Sequence, residues 1–262
     1  MKIACLIKFV PNIQNFKYDY EKNVIIRENS RMILNPDDIQ ALNTALTITE
    51  QHNATLEVIT MAPATIMPYA RDIVRLGVHK LTILCDKDFA GSDTYATSKI
   101  ISTYISQHKY DIVITGTHSL DGGTAHTPAQ IAHLLGYPQL SNITQVLELS
   151  PHRAQVQTET DTTTSTYNIQ LPAVLSFIKQ AKTKLPFIKY ENFTKDVDHQ
   201  INILTNNELK VPQEYIGLNG SKTKVKKTYA QQSSTKTHTT FVTADEQGIA
   251  TLHKFLVDKG YL

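Results

Sequence analysis

The sequence predicts an α/β protein built on a mostly parallel, doubly wound sheet, with additional strands after it and a long C-terminal arm. Three observations carry this. Short apolar runs alternate with amphipathic stretches of helical period through the first half of the chain, the pattern of a parallel sheet covered on both faces. A strand–turn–helix junction of small residues runs from Gly116 to Gln130. Beyond about residue 138 the helical period stops and strand-like segments follow one another.

The elements are read in order. Lys2 to Val10 is a strand, and Phe16–Tyr20 and Val24–Arg27 flank Glu21-Lys22-Asn23 as a hairpin. Asn35-Pro36-Asp37-Asp38 opens a helix with Ile39, Leu42, Ala45, Leu46 and Ile48 on one face, since proline and acids mark a helix start. Leu56–Met61 is a strand, and the helix Ile66–Leu76 ends at Gly77. Lys80–Leu84 is a strand, and Ser92-Asp93-Thr94 caps a helix carrying Ala96, Ile100, Ile101, Tyr104 and Ile105. Asp111–Thr115 is a strand leading into the small-residue turn, and Ile131, Leu134 and Leu135 mark the helix after it. Ile143–Glu148, Ala154–Glu159, Thr163–Ile169 and Ala173–Ile178 read as further strands, with the threonine-rich Thr158–Thr166 as an exposed edge hairpin. From Lys184 patterning fades. Lys222, Lys224, Lys226 and Lys227 form a basic run, Gln231–Thr240 a polar linker, and Glu246–Lys259 a final amphipathic helix with Ile249, Leu252, Phe255 and Leu256. The division is a core over 1–183 and an arm over 184–262, too poor in core to stand alone. The arm lies either on a partner or back on its own domain.

Composition narrows the function. At 262 residues and 41% hydrophobic content the chain has a proper core. A net charge of +2 gives no argument for nucleic acid or membrane binding. Cys5 and Cys85 sit in apolar runs without metal-ligand spacing and read as buried thiols of a reducing compartment, so the cytoplasm is expected. The start, Met1-Lys2-Ile3-Ala4-Cys5-Leu6-Ile7, reads as a strand rather than a signal peptide, and no run has transmembrane length.

Doubly wound sheets bind ligands at the carboxyl ends of their strands, where the strand order reverses. Leu6–Lys8, Met61–Pro63 and Gly116–Ala125 are such ends and should meet at one edge. The turn Asp121-Gly122-Gly123-Thr124-Ala125-His126-Thr127 aims backbone N–H groups and a helix dipole at one spot, as a phosphate site does; otherwise it is an ordinary turn capped by Asp121 or Thr124. Lys8, at a strand end, meets a bound ligand or is a solvated rim lysine. His126 and His133 lie about two helical turns apart, on the order of 10 Å, too far to share an ion with His118. No nucleophile–base set or carboxylate pair emerges, so any chemistry belongs to a cofactor.

Six segments in order resemble the β subunit of an electron transfer flavoprotein: Lys8-Phe9-Val10-Pro11-Asn12, Leu34-Asn35-Pro36-Asp37-Asp38, Phe89-Ala90-Gly91-Ser92-Asp93-Thr94-Tyr95-Ala96-Thr97, Asp121-Gly122-Gly123-Thr124-Ala125-His126, Leu171-Pro172-Ala173-Val174-Leu175, and Ile216-Gly217-Leu218-Asn219-Gly220-Ser221-Lys222-Thr223-Lys224-Val225. The resemblance implies an adenine-nucleotide α-hydrolase-like core, a heterodimer with an FAD-carrying α subunit, and a nucleotide here, either FAD or AMP. The first, third and fourth segments look more like the FAD-holding bacterial members. With FAD the resemblance implies a redox centre open to hydride from NADH and to splitting its electrons; with AMP the chain is a scaffold. The residues implied around the nucleotide are Leu6, Lys8, Asn35, Pro36, Asp38, Met61, Thr94, Asp121, Gly122, Gly123, Thr124, Ala125, His126, Thr127 and Gln130. A docking loop for a dehydrogenase or other redox partner is implied near Lys184–Thr194, with Leu185, Phe187 and Ile188 as apolar tip unless they pack inward. This chain departs from the family pattern at Asn12, Thr117, Gly123, His126 and Pro128; the last requires the first turn of a helix. The competing reading is a freestanding adenine-nucleotide-binding protein of the universal-stress type, for which the long arm has no use.

Overall fold

The computed structural model describes residues 1–12, 17–19, 24–26, 32–179, 183–226 and 240–262, of which 17–19 and 24–26 are described by backbone alone. The strands are β1 (Lys2–Leu6), β2 (Phe9–Pro11), β3 (Lys17–Asp19), β4 (Val24–Ile26), β5 (Met32–Leu34), β6 (Thr55–Met61), β7 (Lys80–Leu84), β8 (Ile112–Gly116), β9 (Gln139–Leu149), β10 (Arg153–Glu159), β11 (Thr164–Gln170), β12 (Ala173–Phe177) and β13 (Ile201–Leu204). The helices are α1 (Pro36–His52), α2 (Met67–Arg75), α3 (Thr94–His108), α4 (His126–Leu135), α5 (Tyr190–Phe193), α6 (Asn206–Leu209), α7 (Gly217–Gly220) and α8 (Glu246–Asp258).

The chain forms two compact units, Met1–Val225 and Lys226–Leu262. In the first, a nine-stranded sheet runs β11-β10-β9-β12-β8-β1-β6-β7-β13. β1 pairs in parallel with β6 on one side and β8 on the other, and β12, β7 and β13 continue the parallel arrangement outward. Side chains alternate across a strand, so β1 feeds both cores. Ile3 and Cys5 pack with Leu42, Ala45 and Ile48 of α1 and Ile73 and Val74 of α2. Ala4 and Leu6 pack with Ile100, Ile101, Tyr104 and Ile105 of α3 and Ile131 and Ala132 of α4. This two-sided burial is why β1 and β8 read as unbroken apolar runs. Among the described residues, no helix is long and apolar enough to cross a membrane.

β3 and β4 pair antiparallel as expected; the hairpin tip at 20–23, Lys227, and residues 231–239 of the polar linker lie outside the described residues. The threonine-rich hairpin forms one edge of the sheet, where, among the described residues, β11 pairs with β10 alone. Two features depart from the sequence reading. β9 starts at Gln139, because its first residues pair parallel with β12 before the later ones pair antiparallel with β10. Residues 184–225 belong to the sheet-bearing unit, and β13 extends the sheet beside β7. Cys5 is buried, whereas Cys85 follows β7 and is half-buried; both are free thiols.

At the amino end of the sheet, buried Glu57 accepts from Thr82 Oγ1 at 2.7 Å and Tyr110 Oη at 2.8 Å, with Lys80 Nζ 3.2 Å away. Burial works against its charge, but the Tyr104, Thr82 and Tyr110 hydroxyls and Lys80 outweigh it and hold the carboxyl below its usual range. This cluster ties β6, β7 and α3 together at the opposite end from the crevice below.

In the second unit Asp245 caps the start of α8, its carboxylate accepting from Gly248 N at 2.7 Å. Ile249, Leu252, Phe255 and Val257 along it are exposed.

Candidate functional site

β6 and β7 lie on one side of β1, and β8 and β12 on the other. The chain therefore reverses direction through the sheet between β7 and β8. That opens a crevice at the carboxyl ends of β1 and β8, the place where such sheets take ligands. Lys8 beyond β1 and Asp121 beyond β8 meet there, Nζ to Oδ1 at 2.7 Å. The Lys8 side chain is 48% exposed and that of Asp121 only 9%. Burial raises the Asp121 carboxyl, and the Lys8 ammonium, the Ser119 hydroxyl and the Asp121 backbone amide together more than reverse this, leaving it below its usual range.

The start of α1 holds the floor of the crevice. Asp38 Oδ2 accepts from Lys8 N at 2.7 Å and its Oδ1 from Gly116 N at 3.1 Å. Asp37 Oδ2 accepts from His118 N at 3.2 Å, and its Oδ1 from Lys179 N at 3.0 Å. Asn35 Nδ2 donates to His118 O at 2.9 Å, and Asn35 Oδ1 accepts from Leu120 N at 3.0 Å. Strand ends carry N–H groups that no neighbouring strand takes, and here buried side chains take them. Three neighbouring strand ends, those of β1, β8 and β12, are fixed by three residues, Asn35, Asp37 and Asp38. Burial pushes the Asp38 carboxyl up to about 7, against the hydrogen bonds from Lys8, Asn35 and Gly116 that favour its anion. Gly116 is required by this closeness: a Cβ there would stand 2.2 Å from Asp38 Oδ1.

The turn above this floor has an open donor end. Gly122 N and Gly123 N turn back to Ser119 O at 3.3 and 2.7 Å, so these two amides are engaged. Gly123 has φ +64° and a Cβ there would meet nothing within 4 Å. The N-cap of α4 is Ala125 at φ 54°, and no side chain caps the helix. Neither Asp121 nor Thr124 performs the capping that an ordinary turn would use. The N–H groups of Thr124, Ala125, His126 and Thr127 find no acceptor among the described residues. Gly122 to His126 are all exposed. Pro128 is in the first turn of α4, where its missing N–H costs nothing. Unpaired amides, two threonine hydroxyls, a helix dipole and a nearby ammonium make a donor set suited to a phosphate.

α3 approaches the same place. Ser98 Oγ contacts Thr94 O at 2.7 Å, Gln130 Oε1 at 3.1 Å and Thr127 O at 3.5 Å, so the first turns of α3 and α4 sit side by side. Asp93 caps α3 by accepting from Ala96 N at 3.0 Å and also takes Lys222 N and Thr223 N, both at 2.8 Å. Two segments about 130 positions apart are thereby joined. Thr117, where the family pattern has a base, is buried and bonded to Ser176 and Asn142.

The structure brings Lys8, Asn35, Pro36, Asp38 and the 121–130 turn to one edge, with Thr94 and Gln130 adjoining through Ser98. Leu6 is buried in the core beneath, and Met61 ends β6 beside β1. Asn35 and Asp38 direct their polar atoms at backbone. In the Lys184–Thr194 segment Leu185 packs against the core, Ile188 is half-buried, and Phe187 is 97% exposed. Tyr190 and Phe193 are exposed beside it, and sequence reasoning passed over them although aromatics in a polar stretch were a signal. It weighed His118 only as a metal ligand, and it passed over the strand-end role of Asp37. Among the described residues no three His, Cys, Asp or Glu side chains gather as a metal site.

The electron transfer flavoprotein domain profile matches residues 22–191. The chain is 34% identical to an electron transfer flavoprotein subunit beta of Thermoanaerobacterium thermosaccharolyticum, over 86% of each chain. It is 32% identical to the corresponding subunit of Clostridium acetobutylicum, over 90% of this chain and 88% of that one. It is 29% identical to the caffeyl-CoA reductase-Etf complex subunit CarD of Acetobacterium woodii, over 88% of each.

Proposed function

The chain belongs to the electron transfer flavoprotein family as a β subunit, and from that premise we propose that it holds an adenine nucleotide, FAD in preference to AMP, in the crevice beyond β1 and β8. It works as half of a heterodimer whose α subunit carries its own FAD. The observation that carries this reading is the start of α4, uncapped and exposed with its amides unpaired beside Lys8.

In this reading the amides of Thr124 to Thr127 and the hydroxyls of Thr124 and Thr127 bind phosphate oxygens. Each hydrogen bond to a charged acceptor contributes about 1.5–3 kcal/mol. Asn35, Asp37 and Asp38 hold the strand ends so that the donors keep their places without a ligand, which lowers the cost of binding. Lys8 and Asp121 stand at the mouth, and Thr94, Gln130 and His126 flank it. FAD, when bound, supplies hydride and single-electron chemistry, including acceptance of hydride from NADH, whereas AMP would leave the chain a scaffold. The likeness of the opening loop, the Ala-Gly-Ser-Asp-Thr segment and the Asp-Gly turn to FAD-holding members favours FAD.

Two surfaces complete the proposal. Leu185, Phe187 and Ile188, with Tyr190 and Phe193, receive a dehydrogenase or other redox partner. The arm, ending in α8, wraps on the α subunit. Two free thiols agree with a cytoplasmic setting. The freestanding stress-type reading is not favoured, because relatives matching most of the chain are β subunits.

The test is direct. The chain is co-produced with its α subunit, gel-filtered and denatured, and the released nucleotides are separated by chromatography. FAD in excess of the α subunit's share supports the reading, AMP makes the chain a scaffold, and no nucleotide beyond the α subunit's FAD refutes it.

A further inference from the structure

We propose that His118 is a ligand-contact residue of the crevice, its ring set by Asp37 so that Nε2 accepts a hydrogen bond from a hydroxyl or amino group of the nucleotide. This rests on the nucleotide reading above and adds a residue to it.

His118 lies two positions past β8, between the strand end and the donor turn. Its Nδ1 is 2.7 Å from Asp37 Oδ2, and its side chain is 51% exposed while that of Asp37 is 6% exposed. A carboxylate accepts and does not donate, so Nδ1 carries the hydrogen, and in its neutral form the ring presents a bare lone pair at Nε2. Among the described residues nothing bonds Nε2. The backbone of His118 is held as firmly as the ring: its N–H donates to Asp37 at 3.2 Å and its carbonyl accepts from Asn35 at 2.9 Å. Three contacts to two buried side chains are a large outlay for a half-exposed imidazole on a loop. A histidine needed only to hold the loop would be served by its backbone alone. Around it stand Lys8 and Asp121 across the crevice mouth and Lys179 at the end of β12, so a bound ligand and the ring share one opening.

Two amides separate the ring's halves. Asparagine places its NH2 near the Nδ1 position and keeps the Asp37 contact, but loses the outward atom. Glutamine places its terminal group near the Nε2 position and loses the Asp37 contact. The full chain, in its heterodimer and freed of nucleotide, is titrated with AMP, the portion common to both candidate nucleotides. His118→Asn should weaken AMP about tenfold with its unfolding temperature unchanged, one lost hydrogen bond, and His118→Gln should weaken it less. The deficit should vanish with 2′-deoxy-AMP if the donor is the ribose hydroxyl, or with IMP if it is the adenine amino group. If His118→Asn binds AMP as the wild type does, or the same deficit persists with both analogues, the inference falls while the nucleotide site stands. If the wild type takes up neither AMP nor FAD, both fall.

Discussion

Replacing Gly116 by alanine tests whether the start of α1 holds the strand ends. The new Cβ would lie 2.2 Å from Asp38 Oδ1, 2.8 Å from Asp37 Cβ and 2.9 Å from Asp38 N. Two of these neighbours are the Asp38 backbone nitrogen and the Cβ of Asp37, the residue before it, and neither swings aside as a side-chain tip would. Yielding means moving the first turn of α1, which breaks or stretches the bonds to Lys8, Gly116, His118 and Lys179. Overpacking costs about 1–3 kcal/mol. Loss of a buried hydrogen bond to a carboxylate adds about 1.5–3 kcal/mol. Together about 2.5–6 kcal/mol is expected, a large share of the roughly 5–15 kcal/mol that holds an ordinary domain folded. Urea unfolding measures it through the shift in midpoint at constant slope. Gly123→Ala is the control: at φ +64° with no atom within 4 Å it meets only backbone strain, about 1–2 kcal/mol. A loss below about 1 kcal/mol for Gly116→Ala would mean that the Asp37–Asp38 contact is slack and does not position the crevice.

Asp38 titrates in a predictable direction. With its folded pKa raised from 3.8 to about 7, the folded chain holds a proton that the unfolded chain has released between those values. Its contribution to stability is full below about pH 4 and fades as pH rises through about 7. Subtracting the Asp38→Asn urea midpoints from those of the wild type between pH 4 and 8 should show this slope, and parallel curves would refute it. At the docking segment, Phe187→Ala should leave the unfolding temperature unchanged, since that ring is 97% exposed, and weaken binding of the redox partner by about 1–3 kcal/mol. Leu185→Ala should do the reverse because Leu185 packs on the core; equal docking by both variants removes this surface from the account.

Much of this was legible because burial on both faces leaves a local trace. Lys80–Leu84 is a strand in sequence and in structure, and Asp93 is a cap in both. The edges of the strand-rich region were less visible. β9 holds Ser141 and Asn142 near its start, the latter at φ 57°, so it lacks an apolar run where it joins β12. β13 is four residues interrupted by Asn202, and its partner Lys80–Leu84 lies about 120 positions earlier, out of reach of any local pattern. The strand-end role of Asp37 and Asp38 was hidden by ambiguity rather than silence. Acids after a proline also open ordinary helices, and only the fold shows that Lys8, Gly116, His118 and Lys179 bring their N–H groups to them. Likewise the glycines of the 121–127 turn were visible, but two of their amides are taken by Ser119, and the open donors lie one residue further on.

If the open start of α4 holds the phosphate of a nucleotide, Ala125→Asp displaces that phosphate. Aspartate tolerates the left-handed backbone at this position better than most residues do, and its charge suits a helix N-terminus, so the fold should stand. The same charge occupies the space that a phosphate needs. Nucleotide released on denaturing the purified heterodimer should fall at least tenfold, counted beyond the FAD of the α subunit, while the unfolding temperature of the nucleotide-free chain is unchanged. Full retention of nucleotide in Ala125→Asp would mean that the phosphate does not lie at the start of α4.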